Sequence, residues 1–104
     1  MIIAGDAMTG SDAVALALET EPDVVIMDVI MPRFDGIEAT KRISQVLPNA
    51  RIVVFTGDSR PELINLAFSA GAVGYVAKPA IDELLKAIRK VAEGRYFLSP
   101  RPSS

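Results

Sequence analysis

Short apolar runs alternate with longer amphipathic stretches along the 104 residues of this chain. Two of the runs, Val24–Met27 and Ile52–Phe55, are apolar at every position, which is typical of strands that are covered on both faces. Strands that alternate with helices in this way form parallel α/β sheets. The sequence therefore predicts such a sheet, with strands at Met1–Ala4, Val24–Asp28, Arg51–Thr56 and Val73–Ala77.

Four helices are predicted between and after these strands. The last is the clearest, because apolar residues recur at helical spacing from Ile81 to Val91 and Gly94 follows as a stop signal. The polar, proline-broken end favours one domain over residues 1–98 and a linker-like tail over residues 99–104. The other three helices are predicted from Ser11 or Asp12 to the residue before Pro22, from Asp35 to Val46, and from Pro61 to Gly71.

Composition narrows the classes of function. Half of the residues are hydrophobic, so the chain can bury a core. It has neither cysteine nor histidine, which excludes disulfides, thiolate metal sites and histidine-based triads, and favours the cytoplasm. A net charge of -2 predicts no direct binding to nucleic acid or to a membrane surface. The apolar runs are also too short to span a membrane.

Polar residues stand at the carboxyl ends of three predicted strands: Asp28, Thr56 and Lys78. In an open parallel sheet, ligands bind beyond these ends. A carboxylate can attack a phosphoryl group, while a hydroxyl and an ammonium hold the oxygens of that group. These three residue types at three strand ends therefore predict phosphoryl transfer to an aspartate.

The segment around Asp28 resembles the receiver domains of bacterial two-component response regulators. Asp28 matches their phosphoacceptor, and the Met31-Pro32 and Asp35-Gly36 pairs follow at the family's spacing. The segment Gly71–Pro79 resembles the family's approach to the same site. The resemblance covers nearly the whole chain and implies a flavodoxin-like, three-layer α/β fold. The stretch Leu84–Pro100 resembles receivers that precede a helix-turn-helix output domain.

The same resemblance implies roles for individual residues. Thr56 matches the switch hydroxyl that binds the phosphoryl group, and Tyr75 matches the switch aromatic that turns inward on activation. Lys78 matches the lysine that neutralises the phosphoryl charge, and magnesium would be held by Asp28 and by the backbone carbonyl of Ile30. The implied function is a phosphoacceptor switch rather than a metabolic enzyme. Its phosphoryl group would come from a histidine kinase or a small phosphodonor.

The start of the chain departs from the family. Receivers open with a strand that ends in two acidic residues, which bind magnesium, and this chain has no such pair. Residues 2–13 align instead with the family's second strand and the helix after it. The first β-α unit is therefore missing, which leaves about four strands and four helices. Asp6, just after the first predicted strand, is a candidate substitute ligand for the metal.

The missing unit leaves two arrangements open. In one, Met1–Ala4 takes the vacant central place beside the Asp28 strand, so the first three helices share one face and the Ile81 helix stands alone on the other. In the other, a second molecule fills the gap, as in domain swapping. Either way, about 500 Å² of bare apolar sheet would cost on the order of 10 kcal/mol at roughly 25 cal/mol per Å². We therefore predict a homodimer that buries this surface.

Two functions remain open at this point. The intact Asp28, Thr56 and Lys78 favour a magnesium-dependent phosphoacceptor, while the missing acidic pair favours a phosphorylation-incompetent fragment that serves as an oligomeric interaction or structural module. A flavin site is disfavoured, because the chain has no glycine- or hydroxyl-rich phosphate loop.

Overall fold

A computed structural model describes residues 10–21, 23–29, 34–57, 60–77 and 81–99, and gives the backbone alone for residues 10–13, 16, 28, 29 and 34–36. Helices and strands alternate along this part of the chain. The helices are α1 (Gly10–Thr20), α2 (Phe34–Val46), α3 (Pro61–Ser69) and α4 (Ile81–Ala92). The strands are β1 (Val24–Val29), β2 (Arg51–Thr56), β3 (Gly74–Ala77) and β4 (Phe97–Ser99).

The four strands form one sheet in the order β1-β2-β3-β4, and each neighbouring pair is parallel. The predicted parallel α/β fold is therefore confirmed. Three of the four predicted strands are present within one residue of their predicted ends. The fourth, Met1–Ala4, lies outside the described residues, so its place in the sheet remains a prediction. The structure adds β4, which the sequence analysis did not predict.

The helices divide between the two faces of the sheet as the first arrangement predicted. Helices α1, α2 and α3 pack on one face, where Ala17, Ile43 and Ala67 are fully buried. Helix α4 packs on the other face through Ala87 and Val91, which are also fully buried. Strand residues alternate between these two clusters, which explains why β1 and β2 are apolar at consecutive positions.

The sequence analysis predicted bare apolar sheet, but the described strand residues on the α4 face are covered. On that face Val24, Ile26 and Phe55 are only 6%, 4% and 8% exposed within the single chain. The physical reason is that α4 contacts all four strands, β1 included, so one helix covers the described width of the sheet. The argument from uncovered sheet therefore gives no support to a dimer here.

Glycines close α3 and α4 at the amino-terminal edge of the sheet. Gly71 has φ +116 and Gly94 has φ +86, and residues other than glycine rarely adopt such a backbone conformation. After α4, the amide of Arg95 donates to the carbonyl oxygen of Lys90 at 2.9 Å. The chain then turns into β4, where the amide of Phe97 donates to the carbonyl oxygen of Val73 at 2.9 Å.

Candidate functional site

The backbone register brings two positions of the predicted site, Asp28 and Thr56, to one edge of the sheet. Asp28 lies in β1, one residue before its end, and pairs with Phe55. Thr56 is the last residue of β2 and pairs with Val29 on one side and with Ala77 on the other. Strands β1 and β2 are parallel neighbours, and such strands lie about 4.8 Å apart. Asp28 and Thr56 are therefore close together at the same carboxyl edge of the sheet. The chain reaches Lys78 directly after Ala77.

Two predicted switch residues are buried in the single chain. Thr56 is 4% exposed at the end of β2, and its binding of a phosphoryl group remains a prediction. Tyr75 is fully buried in β3 and belongs to the core cluster under α1, α2 and α3. Its ring therefore lies inward in this structure. A movement of Tyr75 on activation remains a prediction.

The other predicted site positions are not all described. The side chain of Asp28 falls outside the description, and Lys78, Ile30 and Asp6 lie outside the described residues. Within the described part of the chain, no three His, Cys, Asp or Glu side chains are grouped as metal ligands. The magnesium ligands therefore remain predictions from the resemblance.

An additional acidic group, Glu83, lies in the first turn of α4, shortly after the Lys78 segment. Its carboxylate accepts a hydrogen bond from Lys86 Nζ at 3.2 Å. This bond, followed by one with Ser99, lowers the pKa of Glu83 below its ordinary value of 4.5. The contact joins α4 to the last residue of β4. The sequence analysis missed it because it did not predict β4.

None of the helices in the described part of the chain is long and apolar enough to cross a membrane.

Comparisons with known proteins agree with the parallel α/β fold. The family described as response regulator receiver domain matches residues 1–89. The chain is 47% identical over 95 residues to an uncharacterized transcriptional regulatory protein, YxjL, of Bacillus subtilis (strain 168), covering 90% of this chain and 44% of that protein. It is 36% identical over 92 residues to the chemotaxis protein CheY of Thermotoga maritima, covering 88% of this chain and 77% of CheY.

A solved structure supports the same fold. A LuxR-family two-component response regulator from Aurantimonas sp. SI85-9A1 superposes with a TM-score of 0.82 at 42% identity, covering 90% of this chain and 68% of that one. The chain spans less than half the length of YxjL. The part of this chain that the family model matches, residues 1–89, corresponds to a receiver domain.

Proposed function

The chain belongs to the family of response regulator receiver domains, and from that membership we propose that it accepts a phosphoryl group on the carboxylate of Asp28. A carboxylate oxygen attacks the phosphorus of a phosphohistidine or of a small phosphodonor. An oxygen–phosphorus bond forms while the bond to the donor's nitrogen or oxygen breaks. The donor leaves with that electron pair and takes a proton from solvent. A domain that works in this way with a kinase belongs in the cytoplasm, where ATP is available.

The backbone register is the observation that carries this proposal. It pairs Asp28 with Phe55, one residue before Thr56, and pairs Thr56 with Ala77, one residue before Lys78. In the proposed site the Thr56 hydroxyl donates to one phosphoryl oxygen and the Lys78 ammonium neutralises another. The product is an acyl phosphate, so the domain acts as a switch that carries phosphate and not as a metabolic enzyme.

Magnesium belongs to the proposal as a partner of the phosphoryl oxygens. Asp28, the carbonyl of Ile30 and Asp6 supply only oxygen donors, which is the set that magnesium prefers. When bound, the metal neutralises charge between the carboxylate and the incoming phosphoryl group. Asp6 takes the part of the acidic pair that other receivers carry on their first strand.

A beryllofluoride titration with magnesium tests the proposal. We expect the amide resonances of residues 28, 56 and 77 to shift with saturation in the wild type and to stay unchanged in Asp28→Asn. Thr56→Val, which keeps the side-chain volume but removes the hydroxyl, is expected to weaken the response without abolishing it. Amide resonances that do not shift when beryllofluoride is added to the folded wild-type protein would contradict the proposal.

A second candidate function is favoured by the missing acidic pair. The chain would then be a receiver fragment that cannot be phosphorylated and serves as an interaction or structural module. A magnesium titration followed by the amide resonances near Asp28 separates the two candidates. Saturation at millimolar magnesium that disappears in Asp28→Asn supports the phosphoacceptor, and the absence of any saturable response supports the module.

We also propose that the chain forms a homodimer, on grounds other than uncovered sheet. Ile81 and Leu85 lie one turn apart on α4 and are 55% and 51% exposed, which gives an apolar strip on the outer side of that helix. Light scattering at low micromolar concentration is expected to give the mass of two chains. Leu85→Lys should return the mass to one chain, and a wild-type protein that is already monomeric would end this proposal.

A further inference from the structure

The edge of the sheet opposite to Asp28 carries a cavity of about 370 Å³. It lies where β2 and β3 begin and where α2, α3 and α4 end, and its lining includes Arg51, Gly71 and Arg95. Arg51 and Thr56 are the first and last residues of β2, so the two edges are roughly 16 Å apart at 3.3 Å per residue. The cavity is therefore separate from the phosphoacceptor edge.

The charge of the cavity differs from that of the whole chain. The protein has 13 acidic and 11 basic residues, yet the described residues that line the cavity include two arginines and no aspartate or glutamate. Ser44 and Asn49 add a hydroxyl and an amide to the lining. Arginine, with hydroxyl and amide groups beside it, is the combination that binds oxyanions in proteins.

One structural explanation for the arginines is that they balance the negative ends of three helices. The helix ends, however, already have backbone donors. The amide of Gly71 donates to the carbonyl of Phe68, and the amide of Gly94 donates to the carbonyl of Val91. The Nε of Arg95 lies 3.9 Å from the Glu93 carboxylate, and both side chains are mostly exposed. Such exposed pairs contribute little, so this pair does not prevent the guanidinium from binding a ligand.

The glycine at position 71 keeps the hydroxyl side of the cavity open. A Cβ at Gly71 would overlap the Ser44 hydroxyl and would lie 2.6 Å from the Ser44 Cβ. Any side chain at this position would therefore displace Ser44 from the lining. An aromatic ring completes the rim, since Tyr96 lines the cavity and is 72% exposed. Its ring lies 6.2 Å from that of Phe68, within the range of an aromatic contact.

From these features we propose that the cavity is a binding site for a small organic oxyanion, with Arg51 and Arg95 binding its phosphate or carboxylate group and Tyr96 packing against its carbon skeleton. The volume is in the range of small-molecule sites, and a bare phosphate ion would leave most of it unfilled. The ligand class is therefore a phosphorylated or polycarboxylated metabolite-sized molecule, bound at the edge remote from Asp28.

Amide NMR titrations at constant ionic strength test this site, with inorganic phosphate, AMP and citrate as probes and sodium chloride as the reference salt. We expect saturable shifts centred on residues 44, 49, 51, 71, 95 and 96, with AMP or citrate binding more tightly than phosphate. Arg51→Gln and Arg95→Gln should each weaken binding about tenfold, since a charge-assisted hydrogen bond is worth ~1.5 kcal/mol or more.

Arg42→Gln is the matched control, because Arg42 is an exposed arginine on α2 that pairs with Glu38 and does not line the cavity. Arg42→Gln should leave the affinity of the cavity for the probes unchanged. Asp28→Asn should leave it unchanged as well, so failure of the phosphoacceptor proposal would not affect this test. Equal weakening by Arg42→Gln would show general attraction to positive charge and would overturn the proposal. The absence of saturation with all three probes up to tens of millimolar, in a protein with a native spectrum, would overturn it as well.

Discussion

Three glycines allow backbone strain and steric overlap to be measured separately in this domain. Gly57 has no positive φ and open space around it, Gly94 has φ +86 and open space, and Gly71 has φ +116 with Ser44 in the way. Replacing each by alanine adds the same methyl group in three settings. The expected order of destabilisation is Gly71→Ala first, then Gly94→Ala, with Gly57→Ala close to wild type.

The magnitudes follow from the settings. At Gly94 a left-handed conformation costs alanine about 1–2 kcal/mol, and the lower entropy of the unfolded chain returns about 0.4–1 kcal/mol, so a net loss of about 1 kcal/mol is expected. At Gly71 the backbone strain is about 1–3 kcal/mol, and overpacking against Ser44 adds about 1–3 kcal/mol. A loss of about 3 kcal/mol for Gly71→Ala is a large part of the ~5–15 kcal/mol that stabilises a domain.

Urea denaturation followed by far-UV circular dichroism measures these differences. The midpoint should fall in the stated order while the slope of the transition stays constant. Ser44→Ala in the Gly71→Ala background removes one of the two overlaps and should restore at least ~0.5 kcal/mol, which is the size of a detectable coupling between contacting residues. Equal losses for Gly71→Ala and Gly94→Ala would refute the overlap with Ser44.

Two further predictions concern α4 and the core. Lys86→Gln is expected to raise the pKa of Glu83 toward 4.5, because it removes the hydrogen bond that contributes most to lowering it. Since the folded pKa is lowered, the contact stabilises above the unfolded pKa and is lost as pH falls through the folded one, so the variant and the wild type should converge in acid. Carboxyl NMR titration measures the shift, and an unchanged pKa would contradict the assignment. Ile43→Ala, at a fully buried position, should cost about 2–5 kcal/mol in urea denaturation. Val46→Ala, at a position that is 48% exposed, should stay within ~0.5 kcal/mol, and similar losses for both would contradict the packing of α2.

The sheet was predictable where local sequence determines it. Strands β1 and β2 were read from consecutive apolar residues, because both of their faces are covered by helices. Strand β4 was missed because three residues carry no periodic signal, and its position depends on pairing with the edge of β3. The coverage of the α4 face was also misjudged. Sequence spacing gives the apolar stripe of a helix but not the angle at which it crosses the strands.

The two candidate sites also differ in how far the sequence predicts them. Asp28 lies next to the end of β1 and Thr56 ends β2, so pairing the two strands in parallel brings their backbone positions to one edge, as the sequence pattern predicted. The oxyanion cavity draws its lining from segments far apart in the chain, around Ser44, Gly71 and Arg95. No short motif links these segments, and only the packing of three helix ends shows that they meet.

The direction of β4 has a consequence for anything joined to the chain beyond it. Since β4 runs parallel to β3, with Ser99 beside Val76, the polypeptide leaves the sheet heading toward the rim where Thr56 ends its strand. A domain connected through this segment would therefore start near the edge of the sheet that carries the proposed acyl phosphate. The hydrogen bond between Glu83 and Ser99 links the end of β4 to α4, so a segment that follows would start beside that helix.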